Sequence, residues 1–224
     1  MKSIEAKYIS GMESMSDADL LKTLEAATEC NPVACVNWKE YPYAPQVGFH
    51  IAWSDEGLAV LFKVREDHVR GTAMEINGPV WEDSCVEVFI DDPQSSEYFN
   101  FETSCIGTKL ASKRRSRSDA DHFNKETMDK IRCFGSLPHE PVDIEGKEQE
   151  WWIAEFIPFS VIGLEKAPES LRMNFYKCGD GLSVPHYLSW QPIHSEKPDF
   201  HRPEFFGEIQ CKPDIQSKPD IQCQ

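Results

Sequence analysis

The sequence predicts an all-β chain, an antiparallel β-sandwich or jelly roll with minor short helices. Three observations lead there. Between Gln46 and Ile209, roughly seven to ten short segments read as strands, each bounded by turn residues. Long amphipathic helices between those strands are missing, which argues against a doubly wound fold. At 224 residues the chain suits one domain whose core is large enough to fold without staples.

The elements follow in order. Ser16 to Thr28 reads as a short helix, capped by Ser16 or Asp17, with Leu20, Leu21 and Leu24 on one face. Gln46 to Ser54 alternates Val47, Phe49, Ile51 and Trp53 against Gly48, His50 and Ala52, a strand pattern. Asp55-Glu56-Gly57 is a tight turn, and Leu58 to Arg65 is the return strand of a hairpin. Glu66 to Val80 reads as a loop. From Ser84 a two-faced strand begins: Val86, Val88 and Ile90 point one way, and Cys85, Glu87, Phe89 and Asp91 the other. Asp91 to Ser96 turns the chain into Tyr98 to Ile106, with Tyr98, Asn100, Glu102 and Ser104 opposite Phe99, Phe101, Thr103 and Cys105. Asp119 to Asp129 is polar, either loop or helix. Ile131 to Leu137, Glu150 to Ile157, Leu171 to Cys178 and His186 to Trp190 are strand-like, and Phe159 to Leu164 is one helical turn after Pro158. The segment Pro203-Glu204-Phe205-Phe206-Gly207-Glu208-Ile209 closes the domain. The expected layout is an N-terminal segment over 1–30, a sandwich over 31–210, and a disordered tail over 211–224. That tail repeats Lys-Pro-Asp-Ile-Gln at 212–216 and 218–222, too little for a repeat fold.

Composition narrows the partners. The net charge of −15 argues against nucleic acid, whose phosphates need a basic footprint. The one basic run, Lys113-Arg114-Arg115-Ser116-Arg117, reads as a solvated hairpin tip. No apolar segment reaches membrane-spanning length. Residues Met1 to Cys30 carry six acidic side chains and no apolar leader, so a cytoplasmic chain with reduced thiols is expected. The eight cysteines include no CxxC pair, and most are expected as small buried hydrophobes.

Chemistry concentrates around Gly78-Pro79-Val80-Trp81-Glu82-Asp83-Ser84, which leads into the two-faced strand. A Trp presented from a Gly-Pro turn, followed by carboxylates on a stiff strand, suits a molecule with an apolar face and a polar edge. Glu87 is a candidate to take vicinal hydroxyls, because a carboxylate accepts two hydrogen bonds side by side. The acids Glu82, Asp83, Glu87, Asp91 and Asp92 also admit a catalytic acid–base pair on a glycosidic bond. Asp91 and Asp92 at their turn are candidate calcium ligands. Trp53, Trp152 and Trp190 fit core positions in strand patterns. Phe200 on the Lys197-to-Pro203 loop is a second aromatic platform, and Arg202 beside it is a candidate donor to hydroxyls. None of the seven histidines shows zinc-protease spacing, and neither GxSxG nor a P-loop occurs. A haem-binding sandwich using Met74 and His68 is a weaker alternative.

Taken together, Val80-Trp81-Glu82-Asp83-Ser84-Cys85-Val86-Glu87-Val88-Phe89-Ile90, Tyr98-Phe99-Asn100-Phe101-Glu102, Met173-Asn174-Phe175, Leu188-Ser189-Trp190 and Arg202-Pro203-Glu204-Phe205-Phe206-Gly207 resemble carbohydrate-binding module family 9, the sugar-binding sandwiches associated with xylanases. The resemblance spans most of Val47 to Ile209. It implies noncatalytic binding of mono-, di- or oligosaccharides derived from glucan or xylan, with a xylanase-like hydrolase as the alternative. It places one aromatic platform at Trp81 and the second at Phe200, where the family has a Trp. Glu87 matches the carboxylate that takes sugar hydroxyls. Asn100 stands where the family places an arginine, and Tyr176 lies near a polar position on its strand. The resemblance implies no certain cofactor, with structural calcium as a candidate.

Overall fold

The computed structural model describes residues 1–212, so the tail from residue 213, expected to be disordered, lies outside the described residues. In chain order the first elements are β1 (Ser3–Glu5), β2 (Lys7–Tyr8), α1 (Asp17–Ala27), β3 (Asn31–Pro32), β4 (Cys35–Val36), β5 (Gln46–Trp53) and β6 (Gly57–Gly71). Next come β7 (Cys85–Asp91), β8 (Tyr98–Ser104), β9 (Lys109–Ser116), β10 (Asp119–His122), α2 (Lys125–Met128) and β11 (Arg132–Gly135). The chain finishes with β12 (Val142–Pro158), β13 (Ser170–Cys178), β14 (Tyr187–Ser189) and β15 (Gly207–Gln210). They form two sheets. One runs β1-β15-β13-β7-β8-β9-β10, with β14 and β4 attached beside β13; the other runs β11-β12-β6-β5-β2, with β3 on β5.

The alternation read from sequence sets which side chains go inside. Val86, Val88, Ile90, Phe99, Phe101 and Phe175 of the first sheet meet Phe49, Val60, Phe62 and Ile153 of the second in one apolar core. Phe49 and Phe175 stack across it with ring centroids 3.8 Å apart. Helix α1 forms where expected, and its Ser16 hydroxyl accepts from the Asp19 amide at 3.2 Å. It packs Leu20 and Leu24 on the outer face of the second sheet, against Ala52, Ala59, Leu61 and Phe156. The small side chains of Ala52 and Ala59 give the helix room, so β5 is covered on both faces.

The expected loop from Glu66 to Val80 is corrected in its first part: β6 runs on to Gly71, paired with the long β12. The polar look of Arg65-Glu66-Asp67-His68 misleads because Glu66 points inward. Its carboxylate meets the Lys177 ammonium at 2.8 Å and accepts from the Trp151 indole at 2.8 Å. This is a charge pair between the sheets with both partners buried. Asp119 to Asp129 resolves into a short strand and one helical turn. Trp53 and Trp190 are buried as expected, whereas Trp152 is half-buried on the outer face against Phe134.

The N-terminal segment contributes a strand to each sheet. β1 pairs in parallel with β15, and β2 in parallel with β5. Ala6 alone separates them; its amide donates to the Gln210 carbonyl at 2.9 Å and its carbonyl accepts from the Trp53 indole at 3.1 Å.

Candidate functional site

The outward face of the first sheet carries a second, separate cluster. Cys85, Phe89, Tyr98, Leu110, Tyr176 and Cys178 point away from the core and are roofed by Trp38, Val80, Phe200 and Phe206 from the connecting segments. Register decides the neighbours. Glu87 stands directly opposite Glu102 on β8 and Tyr176 on β13, and Cys85 stands opposite Cys178. Above this row opens a hollow of about 240 Å³.

Its aromatic wall comes from three segments. Trp81 sits in a single 3₁₀ turn, Val80–Glu82, that follows Pro79. Val80 is buried beneath it and the Asp180 amide donates to the Trp81 carbonyl at 2.9 Å, while the indole stays 37% exposed at the rim. Asp83 clamps the turn from below, accepting from the Thr72 and Ala73 amides at 2.7 and 2.8 Å and from the Thr72 hydroxyl at 2.9 Å. The Ser84 hydroxyl accepts from the Arg70 amide and donates to the His68 carbonyl, each at 3.2 Å. Phe200, on the second wall, stacks on Tyr176 with centroids 4.2 Å apart and planes 12° from parallel. Tyr187 completes this side, packed edge-on against Phe200 and Tyr41.

Glu87, Glu102, Asp180, Arg114 and Arg117 supply the charge. Burial and the facing Glu102 push the Glu87 carboxyl well above its usual range; among the described residues its hydrogen-bond donor is the Cys178 thiol, at 3.1 Å. Burial pushes Glu102 up to about 7. Asp180 is raised to about 6 by burial, against the pull of Arg117. His201 is kept neutral, down to about 3, by burial and by the Arg114 and Arg117 charges; its Nδ1 pairs with the Tyr98 hydroxyl at 2.9 Å. The hollow therefore holds two fixed cations beside three carboxyls that give up their protons late.

Of the six residues singled out from sequence, Trp81, Glu87 and Phe200 line the hollow. Asn100 does not: it is fully buried beneath the floor, where its Oδ1 accepts from Arg114 Nε at 2.9 Å and its Nδ2 donates to Glu102 at 2.7 Å. It aims two lining side chains without reaching the cavity, and the guanidinium expected at its position comes from Arg114 one strand further on. Tyr176 also lies behind the wall, with its ring under Phe200 and its hydroxyl donating to the Phe200 carbonyl at 3.1 Å. Arg202 turns away, paired with Glu204 at 2.6 Å and lying over the Phe205 ring. The basic run does form a hairpin, yet Arg114 is buried in the site rather than solvated.

The other candidate acids are engaged elsewhere. Asp91 meets Arg172 at 2.8 Å, and Asp92 meets Lys113 at 2.8 Å. With a cation already on each carboxylate, this turn does not fit calcium. His68 bonds Asp143 and Ser183 through its two ring nitrogens, which leaves no free nitrogen for haem. Glu102, Arg114, Arg117, Asp180 and Tyr187 escaped the sequence reading. For Glu102 the signal was present, since it shares the outward face with Asn100 and lies across from Glu87.

Residues 18–211 match the model of the family described as carbohydrate-binding family 9. The chain belongs to this family. It is similar, at 34% identity and a TM-score of 0.88 over 94% of this chain and 99% of the other, to a protein of known structure from Bacteroides uniformis ATCC 8492 described as a candidate carbohydrate-binding protein. Two structures of a family 9 module from Caldicellulosiruptor kristjanssonii, one with cellotriose and one with glucose, share the fold at 16% and 15% identity. Their TM-scores are 0.60 and 0.56; each comparison covers 97% of this chain, and 98% and 99% of the modules. No curated protein matches the chain.

Proposed function

We propose that the hollow binds a saccharide without turnover: a mono- or disaccharide, or the end of a glucan- or xylan-derived chain. The observation that carries this is an exposed indole and a stacked phenyl ring walling a floor of paired carboxyls and a buried guanidinium. A pyranose has C–H groups on its faces and hydroxyls round its edge. The C–H groups pack on the electron-rich face of Trp81, and the hydroxyls find acceptors in Glu87, Glu102 and Asp180 and a forked donor in Arg114. Hydroxyls left unpaired there would each cost roughly 1–3 kcal/mol, so such a floor selects by hydroxyl geometry. Support also comes from the cellotriose and glucose bound by structures sharing this fold.

A hydrolase needs two carboxyls flanking the scissile bond. Glu87 and Glu102 instead lie side by side on adjacent strands and face the same way. The test is calorimetry with glucose, cellobiose and xylobiose beside a reducing-sugar assay on the same preparation. Saturable binding worth roughly 5–7 kcal/mol, micromolar to sub-millimolar, with no release of reducing ends is expected. No binding of any of the three sugars, or steady release of reducing ends, overturns the proposal.

A further inference from the structure

At the inner end of the hollow three soft or anionic donors converge. Cys85 and Cys178 occupy directly opposed positions on β7 and β13, and Glu87 follows Cys85 by two residues on the same face. The two Sγ atoms and a Glu87 carboxylate oxygen all lie within 4.8 Å of one another, and all three residues are buried. One oxygen of Glu87 meets Cys178 Sγ at 3.1 Å. This partner is poor: a thiol is a weak donor, and a buried carboxyl ordinarily draws stronger ones. Cys85 has weak partners too: its Sγ pairs with the Cys178 thiol and lies 3.6 Å from the Val86 carbonyl. Glu87 sits inside the antiparallel ladder, and Cys85 and Cys178 form its terminal pair, the first residue of β7 against the last of β13.

We infer that Cys85, Cys178 and Glu87 form a binding site for a thiophilic divalent cation of the zinc class, with an open coordination position facing the hollow. Two sulfurs and one oxygen favour zinc, cobalt or cadmium over calcium or magnesium, which take oxygen ligands. Glu87 and Cys178 line the hollow while Cys85 lies behind them, so the fourth position points to where a water or a ligand hydroxyl would stand. Three protein ligands leave the fourth position of a tetrahedral zinc site open to a water or a ligand. Loading exchanges protons for metal: the two thiols and the carboxyl each lose a proton to solvent as their metal bonds form. The metal site shares Glu87 with the sugar reading but does not rest on it, and metal uptake is measured without sugar.

The full chain, reduced and desalted, is titrated with Co²⁺ and then with Zn²⁺. One Co²⁺ per chain, with thiolate-to-cobalt charge-transfer absorption that Zn²⁺ abolishes, is expected. Cys85→Ser and Cys178→Ser should each weaken binding by more than about 100-fold, beyond the 10–100-fold that outer-shell changes cost. Cys30→Ser, at an exposed thiol outside the cluster, should change nothing. Should a cluster variant fail to fold, cadmium NMR on the wild-type protein decides: a resonance in the range of two thiolate ligands supports the site, and one in the range of all-oxygen ligation overturns it. Equal metal uptake by the Cys178→Ser variant overturns it too, as does a Cys85–Cys178 disulfide whose reduction yields no metal binding.

Discussion

Glu102→Gln is the sharpest probe of the floor. Glu102 is buried, directly opposite Glu87, and its carboxyl is pushed up to about 7, first by burial. A carboxyl whose folded value lies above its unfolded value leaves the folded state holding the extra proton, so stability falls as pH rises. The window opens near the ordinary glutamate value of 4.5 and closes near 7. Stability lost across that window reaches about 3 kcal/mol, at roughly 1.4 kcal/mol for each pH unit, with Glu87 titrating alongside and taking a share of it. Gln keeps the oxygen that accepts from Asn100 Nδ2 at 2.7 Å but cannot ionise. Wild type and variant should therefore melt together at pH 4.5, and at pH 8 the variant should be more stable by up to about 3 kcal/mol, roughly 6–10 °C in Tm. Thermal and urea unfolding at both pH values measure it. The same pH slope in the two proteins would refute the reasoning.

Trp81→Ala should abolish sugar binding in calorimetry yet leave Tm within a few degrees, since the indole stands at the rim; Arg202→Ala, pointing away, should change neither. Phe200→Ala should weaken binding and also cost about 3 kcal/mol in urea unfolding, because the ring packs on Tyr176. Asn100→Ala should lower sugar affinity although the residue touches no ligand, with a stability loss of about 1–3 kcal/mol from the polar groups it leaves unpaired. Lys177→Met should destabilise by about 3–5 kcal/mol by stranding the buried Glu66 charge, and adding Glu66→Gln should recover much of that in a double-mutant cycle.

Much of the fold was legible because sandwich strands repeat with period two. Val86, Val88 and Ile90 face the core as their alternation predicts, and Ser16 starts its helix. Trp81 was legible as a rim residue because a Gly-Pro turn lifts it off the sheet. The misreadings share a cause: the polarity of a residue was taken for its exposure. Glu66 looks like the start of a loop until the two sheets pair it with Lys177, and Arg114 looked solvated within its basic run until Asn100 drew it in. Asn100 and Tyr176 sit on the right face, yet register and the overlying Phe200 loop decide that they act from behind the wall. Those are pairings between distant parts of the chain, and local pattern does not carry them.

The opening eight residues work as a stitch. Ser3–Glu5 borders one layer, Lys7–Tyr8 borders the other, and the single alanine between them crosses the gap. Peeling this segment away would strip a border from both layers together, so it resists their parting.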